Sequence, residues 1–492
     1  MKVKASPVIK HPTGIEGFDL IALGGLPAHR TTLVSGTTGS GKTLFGLEFL
    51  MKGILQFEEP GVFVTFEESP ANLRQVMVSF NYDVDSAEAA GKWIFIDAAL
   101  KSSAQEEVVG AYDFGGLVSR IGTAVRDIGA KRVVLDSIGS LFSRFSEAGL
   151  VRFELLRLSE ALKDMGTTSI LTMESSGGNG SLTRFGVEEF VADNVVLLSN
   201  ILEQSKRRRT IEILKFRGAP HRSGEWLFAI VPHEGFVVIP VSLLAARELA
   251  SSVRVTTGNA EFDRMCGGGF YRDSVVIVSG PTGVGKTLTA TQFVKAGVAL
   301  GERCLLFSFE ESRDQLIRNA ASWGLDLEVM ESSGNLQIIC DFPEMASLED
   351  HFVSMKQAIE RNRPDRLAVD NLSALERVAS ARGLRDFIIG MSSFVKQREI
   401  TSLFTATSRT LVGGSSITEA HISTISDTIV VLRYAEMDGE IRRAITLLKM
   451  RGSAHDTRIR EFSINAEGMQ VGAAFVHGIG ILGGKYDGES QV

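Results

Sequence analysis

The sequence predicts an α/β protein made of two tandem domains, each a mostly parallel sheet flanked by helices. Three observations support this prediction. The 492 residues suit two large domains, the same sequence blocks occur twice in the same order, and short apolar runs alternate with longer helix-like stretches. With 44% apolar and 23% charged residues, the composition excludes a chain that is disordered throughout.

Repeated blocks show where the duplication lies. FVTFEES at Phe63 corresponds to LFSFEES at Leu306, and RVVLDSIGSLF at Arg132 corresponds to RLAVDNLSALE at Arg366. We therefore predict a first domain, a second domain and a short Gly-rich tail, at residues 1–243, 253–470 and 471–492. Between the domains, VSLLAARELASSV has a helical pattern and is either a linker or the last helix of the first domain.

Six apolar runs of the first half predict strands: TTLVS, GVFVTF, KWIFID, RVVLD, TSILTM and NVVLL. Because these runs do not alternate with polar residues, we expect strands that are buried on both faces. Such strands are typical of a parallel sheet that is covered by helices on each side.

A G-x-x-x-x-G-K-[ST] motif occurs in each half, at Gly36–Thr43 and at Gly280–Thr287. Each motif lies between a strand-like run and a helix-like run, which is the context of a phosphate-binding loop. In such a loop the backbone N–H groups converge on the phosphates, the lysine reaches the β- and γ-phosphates, and the threonine ligates Mg²⁺. We therefore predict two ATP sites, whose loop residues are Gly36, Thr38, Gly39, Ser40, Gly41, Lys42 and Thr43, and Gly280, Thr282, Gly283, Val284, Gly285, Lys286 and Thr287.

Acidic residues end other apolar runs. Asp136 and Asp370 are each predicted to be a second Mg²⁺ ligand, the alternative being a helix N-cap. Two pairs of glutamates are either residues that orient or deprotonate a nucleophile or solvated loop acids: Glu67 and Glu68, and Glu310 and Glu311. Ser69 and Ser312 follow these pairs as predicted helix caps, which places the carboxylates at the carboxyl ends of strands, where α/β proteins bind ligands.

Basic residues near two later strands admit two interpretations. Either they contact a γ-phosphate, in their own subunit or in a neighbour, or they are solvated hairpin ends: Lys215, Arg217 and His221, and Lys449, Arg451 and His455. The run Lys206–Arg209 is predicted to be a turn or a subunit edge. We do not expect nucleic-acid binding there, because the second half has EIRR at this place and the net charge is −7.

Other classes of protein are disfavoured by what the sequence lacks. The three cysteines, Cys266, Cys304 and Cys340, form no CxxC pair, which disfavours a disulfide framework or a zinc site. Because we find neither a secretory apolar core nor a run of 18 apolar residues, we expect a cytoplasmic protein without membrane contact.

With these motifs, the chain resembles the KaiC family, the duplicated RecA-type ATPases of the cyanobacterial circadian clock. The resemblance covers residues 15–462, and its most specific stretches are EPGVFVTFEE, GVEEFVADNVV, GGGFYRDS, DFIIG, HISTISDTIV and KMRGSAHD. It implies two RecA-like P-loop ATPase domains, a hexamer of two stacked rings, and ATP with Mg²⁺ between neighbouring subunits of each ring.

The resemblance also implies roles for individual residues. The first domain would hydrolyse ATP slowly, with Glu67 preparing the water, and the second would phosphorylate and dephosphorylate its own chain. Ser423 and Thr424 match the family's phosphorylated residues, and Thr418 matches a nearby threonine implicated in the transfer. Glu310 matches the proposed base, and it is also a candidate metal ligand. Several basic residues would reach a neighbour's nucleotide: Lys215, Arg217, Lys449 and Arg451.

The duplication adds an argument that does not depend on the family. The offset of 234 residues that relates Asp136 to Asp370 places Glu189–Phe190 opposite Ser423–Thr424. The first half therefore has no hydroxyl group where the second half has two. This difference favours an ATPase ring beside a kinase ring, provided that the segment faces the γ-phosphate.

The partners that the resemblance implies are further copies of the chain, as a homohexamer, and a KaiB-like protein. The KaiB-like protein would bind at 105–112 (QEEVVGAY), for which the alternative is an ordinary surface helix. The tail after Phe475 does not match the family's segment for the activator KaiA, so we expect phosphorylation without an activator. The alternative functions are a KaiC-like signalling or stress switch without an oscillator and a RecA-like ATPase that depends on nucleic acid.

Overall fold

A computed structural model describes eight stretches of the chain: residues 8–98, 114–142, 148–175, 192–203, 206–240, 251–408, 425–437 and 439–475. The chain divides into two compact units, Met1–Leu243 (unit 1) and Leu244–Val492 (unit 2). Among the helices of these stretches, none combines the length and the apolar composition that a bilayer-spanning segment needs.

Unit 1 alternates strands and helices along the chain. Its described strands are β1 (Lys10–His11), β2 (Leu26–Pro27), β3 (Thr31–Gly36), β4 (Gly61–Thr65), β5 (Trp93–Asp97), β6 (Arg132–Asp136), β7 (Thr168–Glu174), β8 (Asn194–Glu203), β9 (Lys206–Phe216), β10 (Glu225–Val231) and β11 (Gly235–Ile239). Its described helices are α1 (Phe18–Ile21), α2 (Lys42–Phe57), α3 (Pro70–Ser79), α4 (Val84–Ala89), α5 (Phe114–Ile128), α6 (Ile138–Phe142) and α7 (Ala148–Asp164).

Unit 2 repeats this order. Its described strands are β12 (Arg254–Val255), β13 (Phe270–Tyr271), β14 (Val275–Gly280), β15 (Cys304–Ser308), β16 (Leu336–Cys340), β17 (Arg366–Asp370), β18 (Thr401–Thr407), β19 (Thr428–Met437), β20 (Glu440–Met450), β21 (Arg460–Asn465) and β22 (Gly468–Ala474). Its described α-helices are α8 (Ala260–Met265), α9 (Lys286–Ala299), α10 (Arg313–Ala321), α11 (Leu327–Ser332), α12 (Leu348–Asn362) and α13 (Ala381–Gln397), and 3-10 turns occur at Pro343–Met345 and Leu372–Arg377.

Within the described stretches, each unit has one nine-stranded sheet of the same topology. The strand order is β5-β4-β6-β7-β3-β8-β9-β10-β11 in unit 1 and β16-β15-β17-β18-β14-β19-β20-β21-β22 in unit 2. The first six strands of each order are parallel, and the last three continue the sheet in antiparallel fashion. The predicted α/β fold is therefore confirmed, and the six strands predicted in the first half are β3 to β8.

Strand β6 shows why apolar runs without alternation form this sheet. Val133 and Leu135 pack on one face with residues of α5 and α7, whereas Val134 packs on the other face with residues of α2. Both faces are covered, so every position of the strand is apolar or satisfied by a specific partner. The parallel strands thus bring their carboxyl ends to one edge of the sheet, where both glycine-rich loops lie.

A buried arginine fixes the other end of β6 to helix α2. Arg132 is fully buried; its Nη1 donates to Phe49 O at 2.8 Å, its Nη2 donates to Pro12 O at 2.7 Å, and it forms an ion pair with Glu59 at 2.6 Å. A Cβ at Gly53 would lie 2.6 Å from Arg132 Cδ, so this position of the helix has no room for a side chain.

Unit 2 contains the same arrangement. Arg366 is buried, pairs with Glu302 and donates to Phe293 O at 3.0 Å. A Cβ at Gly297 would lie 2.7 Å from Arg366 Cδ. The contact between a buried arginine and the helix that follows the loop is therefore a shared element of the duplicated domain.

The prediction of a turn at Lys206–Arg209 is wrong. These residues begin β9, where Arg209 pairs with Asn200 and Arg207 pairs with Leu202 of β8. The backbone groups of the run find partners in the neighbouring strand, and basic side chains on a strand do not prevent this pairing. The run therefore forms part of a long hairpin.

We predict that Arg132→Ala lowers the free energy of unfolding of unit 1 by about 3–5 kcal/mol, because removing one partner leaves the other groups of a buried ion pair unsatisfied. Arg126→Ala, on the exposed face of α5, is the matched control and should change stability by less than about 0.5 kcal/mol. Unfolding in denaturant would measure the free energy, and proteolysis would show which of the two units has unfolded. Equal stability of the two variants would contradict the prediction.

Candidate active sites

The first loop joins β3, which ends at Gly36, to α2, which begins at Lys42. Lys42 Nζ donates to Gly36 O and to Thr37 O, both at 2.9 Å, so the ammonium group is held inside the loop. Lys286 makes the same two bonds in unit 2, both at 3.0 Å. Burial lowers the pKa of both lysines, and nearby carboxylates act in the opposite direction.

Local backbone requirements explain the glycines of the first loop. Gly41, the N-cap of α2, has a φ of 94°, and a Cβ at Gly36 would lie 2.4 Å from Leu198 O. The loop therefore aims the N-terminus of α2 at the place where a phosphate would lie. Among the described residues, the buried hydroxyl oxygens of Thr37 and Ser40 have no hydrogen-bond partner, which suits a loop that binds an anionic ligand.

A hydroxyl–carboxylate contact lies beside each loop lysine. Thr43 Oγ1 donates to Asp136 Oδ2 at 2.9 Å, and Thr287 Oγ1 donates to Asp370 Oδ2 at 2.7 Å. Burial raises the pKa of Asp136. The N-cap of the following 3-10 turn in unit 2 is Asn371, so the N-cap alternative is wrong for Asp370.

The helices after the glutamate pairs begin as predicted. Ser69 Oγ accepts from Asn72 N at 3.3 Å, with proline at the first helical position. Ser312 and Gln315 form a reciprocal capping box at the start of α10. The predicted caps are confirmed, and they fix the glutamates at the carboxyl ends of β4 and β15.

The two members of each glutamate pair have different surroundings. The carboxylates of Glu67 and Glu310 each oppose the effect of burial that lowers the pKa of the loop lysine in their unit. Glu311 Oε1 instead accepts from Asn319 Nδ2 of α10 at 3.2 Å. The pKa of Glu67 is itself raised, first by burial and then by neighbouring carboxylates. These electrostatic effects favour Glu67 and Glu310 as the acids that act at the loops.

Glu174, the last residue of β7, was not among the predicted site residues. It lies opposite Gly36 in the sheet, its Oε1 accepts a hydrogen bond from Thr38 Oγ1, and it affects the pKa of both Lys42 and Glu67. The rule that identified Glu67, an acid at the end of an apolar run, also applies to TSILTME. Unit 2 has Thr407 at the same position of the sheet.

The tip of each loop is also held by the strand next to β3 or β14. Asn200 Nδ2 donates to Gly39 O at 3.2 Å, and Tyr434 Oη donates to Thr282 O at 3.4 Å. Neither residue belongs to a motif, and we did not predict them.

The basic residues of unit 1 lie away from their own loop. Lys215 is level with Leu33 in the sheet, three residues before Gly36, which corresponds to about 10 Å along the strand. Its Nζ donates to Ala192 O at 2.8 Å, in the direction away from the loop. Nearby, Arg217 lies 3.8 Å from Asp193, and the ring of His221 packs on Phe216 with centroids 5.4 Å apart.

Unit 2 has the same geometry, with Lys449 Nζ bound to Ser426 O at 2.6 Å and Arg451 lying 3.9 Å from Asp427. The alternative that these residues contact a γ-phosphate at the loop of their own unit is therefore wrong. Contact with a nucleotide of a neighbouring subunit stays a prediction.

Several predicted sites lie outside the described residues. They are the hydroxyl positions Thr418, Ser423 and Thr424, the segment 105–112 and the tail from Val476 onward.

Comparisons with known proteins agree with this geometry. The family model described as "ATPase: KaiC" matches the chain twice, at residues 11–242 and 255–474. The chain belongs to the KaiC family of ATPases. Circadian clock protein KaiC3 of Synechocystis sp. is 53% identical over 98% of this chain and 96% of its own length. The circadian clock oscillator protein KaiC of Thermostichus vulcanus is 48% identical over 98% of this chain and 92% of its own length, and that of Synechococcus elongatus is 48% identical over 95% and 90%.

Family membership identifies the chain as a duplicated KaiC-type ATPase, and an ATPase domain implies that the chain binds ATP. It also confirms the family that the sequence motifs indicated, together with the RecA-like P-loop domains that this family implies.

We predict that Glu174→Gln tightens ATP binding at the first loop about fivefold. The amide keeps an oxygen that accepts from Thr38 and removes a negative charge near the phosphates, and one pair of like charges at about 4 Å costs about 1 kcal/mol in water. Equilibrium binding in a Lys286→Ala background would isolate the first loop. Weaker binding would mean that the charge of Glu174 orders the loop rather than repelling the ligand.

Proposed function

We propose that both units bind ATP with Mg²⁺, that unit 1 hydrolyses most of the ATP, and that unit 2 transfers the γ-phosphoryl group to Ser423 and Thr424 of the same protein. One observation carries this proposal: the same set of side chains occurs at both loops. Each unit has a lysine held inside the loop by two backbone carbonyls, a glutamate near that lysine, and a threonine–aspartate contact, at 2.9 Å in unit 1 and 2.7 Å in unit 2.

The threonine–aspartate contacts suit Mg²⁺. This ion binds through one or two carboxylate oxygens, hydroxyl or water oxygens and substrate phosphates, and the contacts supply a hydroxyl and a carboxylate side by side. When bound, the ion supplies positive charge at the β- and γ-phosphates. Thr43 and Asp136 would hold it in unit 1, and Thr287 and Asp370 in unit 2.

In unit 1, Glu67 is the acid placed to orient and deprotonate the attacking water. Its pKa is raised by burial and by neighbouring carboxylates, which brings the carboxylate closer to the range in which a base accepts protons efficiently near neutral pH. The water oxygen bonds to the γ-phosphorus, the bond from this phosphorus to the bridging oxygen breaks, and ADP leaves.

In unit 2, Glu310 would take the proton of the Ser423 or Thr424 hydroxyl. The hydroxyl oxygen then bonds to the γ-phosphorus, the bond to the bridging oxygen breaks, and ADP leaves with that oxygen. The absence of a hydroxyl pair at Glu189–Phe190 of the first half supports confining this transfer to unit 2.

We infer that the chain assembles into the homohexameric ring that the resemblance to the KaiC family implies, and the position of the basic residues supports a contact between copies. Since Lys215 and Lys449 lie far from their own loops, they can act on a nucleotide only at a neighbouring copy. Relatives named circadian clock proteins support a role in timing. A KaiB-like partner on unit 1 and phosphorylation without an activator complete the proposal and rest on the sequence alone.

We predict that Lys42→Ala removes most steady-state release of phosphate and weakens hexamer formation, because the lysine of the first loop then no longer holds the phosphates. Lys286→Ala should leave most of the release intact and abolish self-phosphorylation. A phosphate-release assay with size analysis of both variants would test this assignment, and the opposite pattern would reverse it.

We predict that labelled ATP phosphorylates Ser423 or Thr424 and that Glu310→Gln slows this reaction by roughly 10²–10⁴-fold, the usual contribution of a base. Glu311→Gln is the matched control, because its carboxylate is bound to Asn319. Mass spectrometry would locate the phosphate. Label outside residues 418–426, or equal rates in the wild type and Glu310→Gln, would contradict the proposal.

A further inference from the structure

We propose that unit 2 has a second anion-binding site, which takes the phosphate chain of a small polyphosphate. The site is a cavity of about 520 Å³ at the amino edge of the parallel strands, opposite the edge that carries the phosphate loop. Its lining comes from the residues just before β14, β15, β17 and β18 and from the end of α12. Four of the lining residues are arginines: Arg272, Arg303, Arg363 and Arg398.

Two of these arginines are partly neutralised by neighbours. Arg398 pairs with Glu360 at 2.7 Å, and Arg272 lies 3.4 Å from Glu302, which also pairs with the buried Arg366. Among the described residues, the buried Nε of Arg272 has no hydrogen-bond partner. This guanidinium group therefore retains donor capacity for a ligand.

The other two arginines are less constrained. Arg303 and Arg363 are exposed, and within the described part of the chain neither side chain makes an ion pair. The nearby carboxylate of Asp365 accepts a hydrogen bond from the backbone N–H of Arg303 at 3.0 Å. Four arginines against three lining carboxylates, of Glu360, Asp365 and Glu399, leave the cavity with a positive charge.

Unit 1 provides an internal control for the role of these arginines. Its sheet has the same topology, so the amino ends of its parallel strands form the corresponding edge. At the positions that correspond to the four arginines, unit 1 has Ala28, Pro60, Gly129 and Met165. The fold therefore forms without any of them, so their convergence on one cavity of unit 2 is not required by the shared architecture.

The chemistry of the cavity favours phosphate groups over other ligands. Planar guanidinium groups bind phosphate oxygens through paired hydrogen bonds, and the volume lies within the range of roughly 300–1,000 Å³ of small-molecule sites. The apolar lining consists of Ile359, Pro364 and Ile400, and no aromatic ring lines the cavity among the residues that the structure describes. A phosphate chain, rather than a stacked nucleobase, is thus the part of a ligand that this cavity holds.

Equilibrium dialysis with ³²P-labelled pyrophosphate tests this proposal in the full-length protein. Both phosphate loops are first saturated with a non-hydrolysable ATP analogue at fixed free Mg²⁺. The wild type should then bind about one pyrophosphate per chain. The double variant Arg303→Ala/Arg363→Ala should bind at least tenfold more weakly, and since both side chains are exposed, the variant should fold normally.

Two control variants make the test specific. Arg361→Ala removes an exposed arginine of α12, two residues before Arg363, that does not line the cavity, and this variant should bind like the wild type. Arg303→Lys/Arg363→Lys keeps the charge and loses the paired donors, and its affinity should lie between those of the wild type and the alanine double variant. No binding once the loops are saturated, equal affinity in the alanine double variant, or an equal loss in Arg361→Ala would overturn the proposal.

Discussion

In each unit, the helix that follows the phosphate-binding loop is attached at two points to one strand of the sheet. This attachment organises the rest of the unit. In unit 1, Asp136 at the carboxyl end of β6 contacts Thr43 in the first turn of α2, and the side chain of Arg132 at the amino end of β6 lies against Gly53 of this helix. Four steps along the strand span about 13 Å, and the ten steps from Thr43 to Gly53 along the helix span about 15 Å. The lengths match, so the strand sets both the tilt of the helix and the position of the loop.

The attachment of strand to helix is the same in both units, whereas the charged side chains around it differ. Glu174 adds a third carboxylate at the first loop, where unit 2 has the neutral Thr407. Helix α2 also holds a buried ion pair between Glu48 and Lys52, at 2.8 Å, and Glu48 Oε1 accepts from Phe236 N. In unit 2, the additional charges are those of the arginines that line the cavity at the amino edge of the sheet. The attachments that form the fold were thus retained, while side chains at the two edges changed.

The sequence predicted those parts of the molecule whose cause is local. Strands buried on both faces need continuous apolar runs, and a phosphate loop needs its glycines and lysine at fixed spacing, so both could be recognised. Asn200 and Tyr434 could not, because their contact with the loop depends on which strands become neighbours. The turn predicted at Lys206–Arg209 was wrong for a related reason, since a basic run is compatible with a strand whenever a partner strand is long enough to pair with it.

The electrostatics of the first loop support the proposal that ATP hydrolysis in unit 1 needs charge from a neighbouring copy. Lys42 faces three carboxylates, those of Glu174, Asp136 and Glu67, before a nucleotide adds its own negative charges. Each pair of like charges at about 4 Å costs about 1 kcal/mol in water and about 4 kcal/mol near a protein surface. Lys215 cannot offset this repulsion at its own loop, because it lies about 10 Å away along the strand. A divalent cation and the Lys215 of a neighbouring copy would supply the missing charge, so that hydrolysis would depend on assembly.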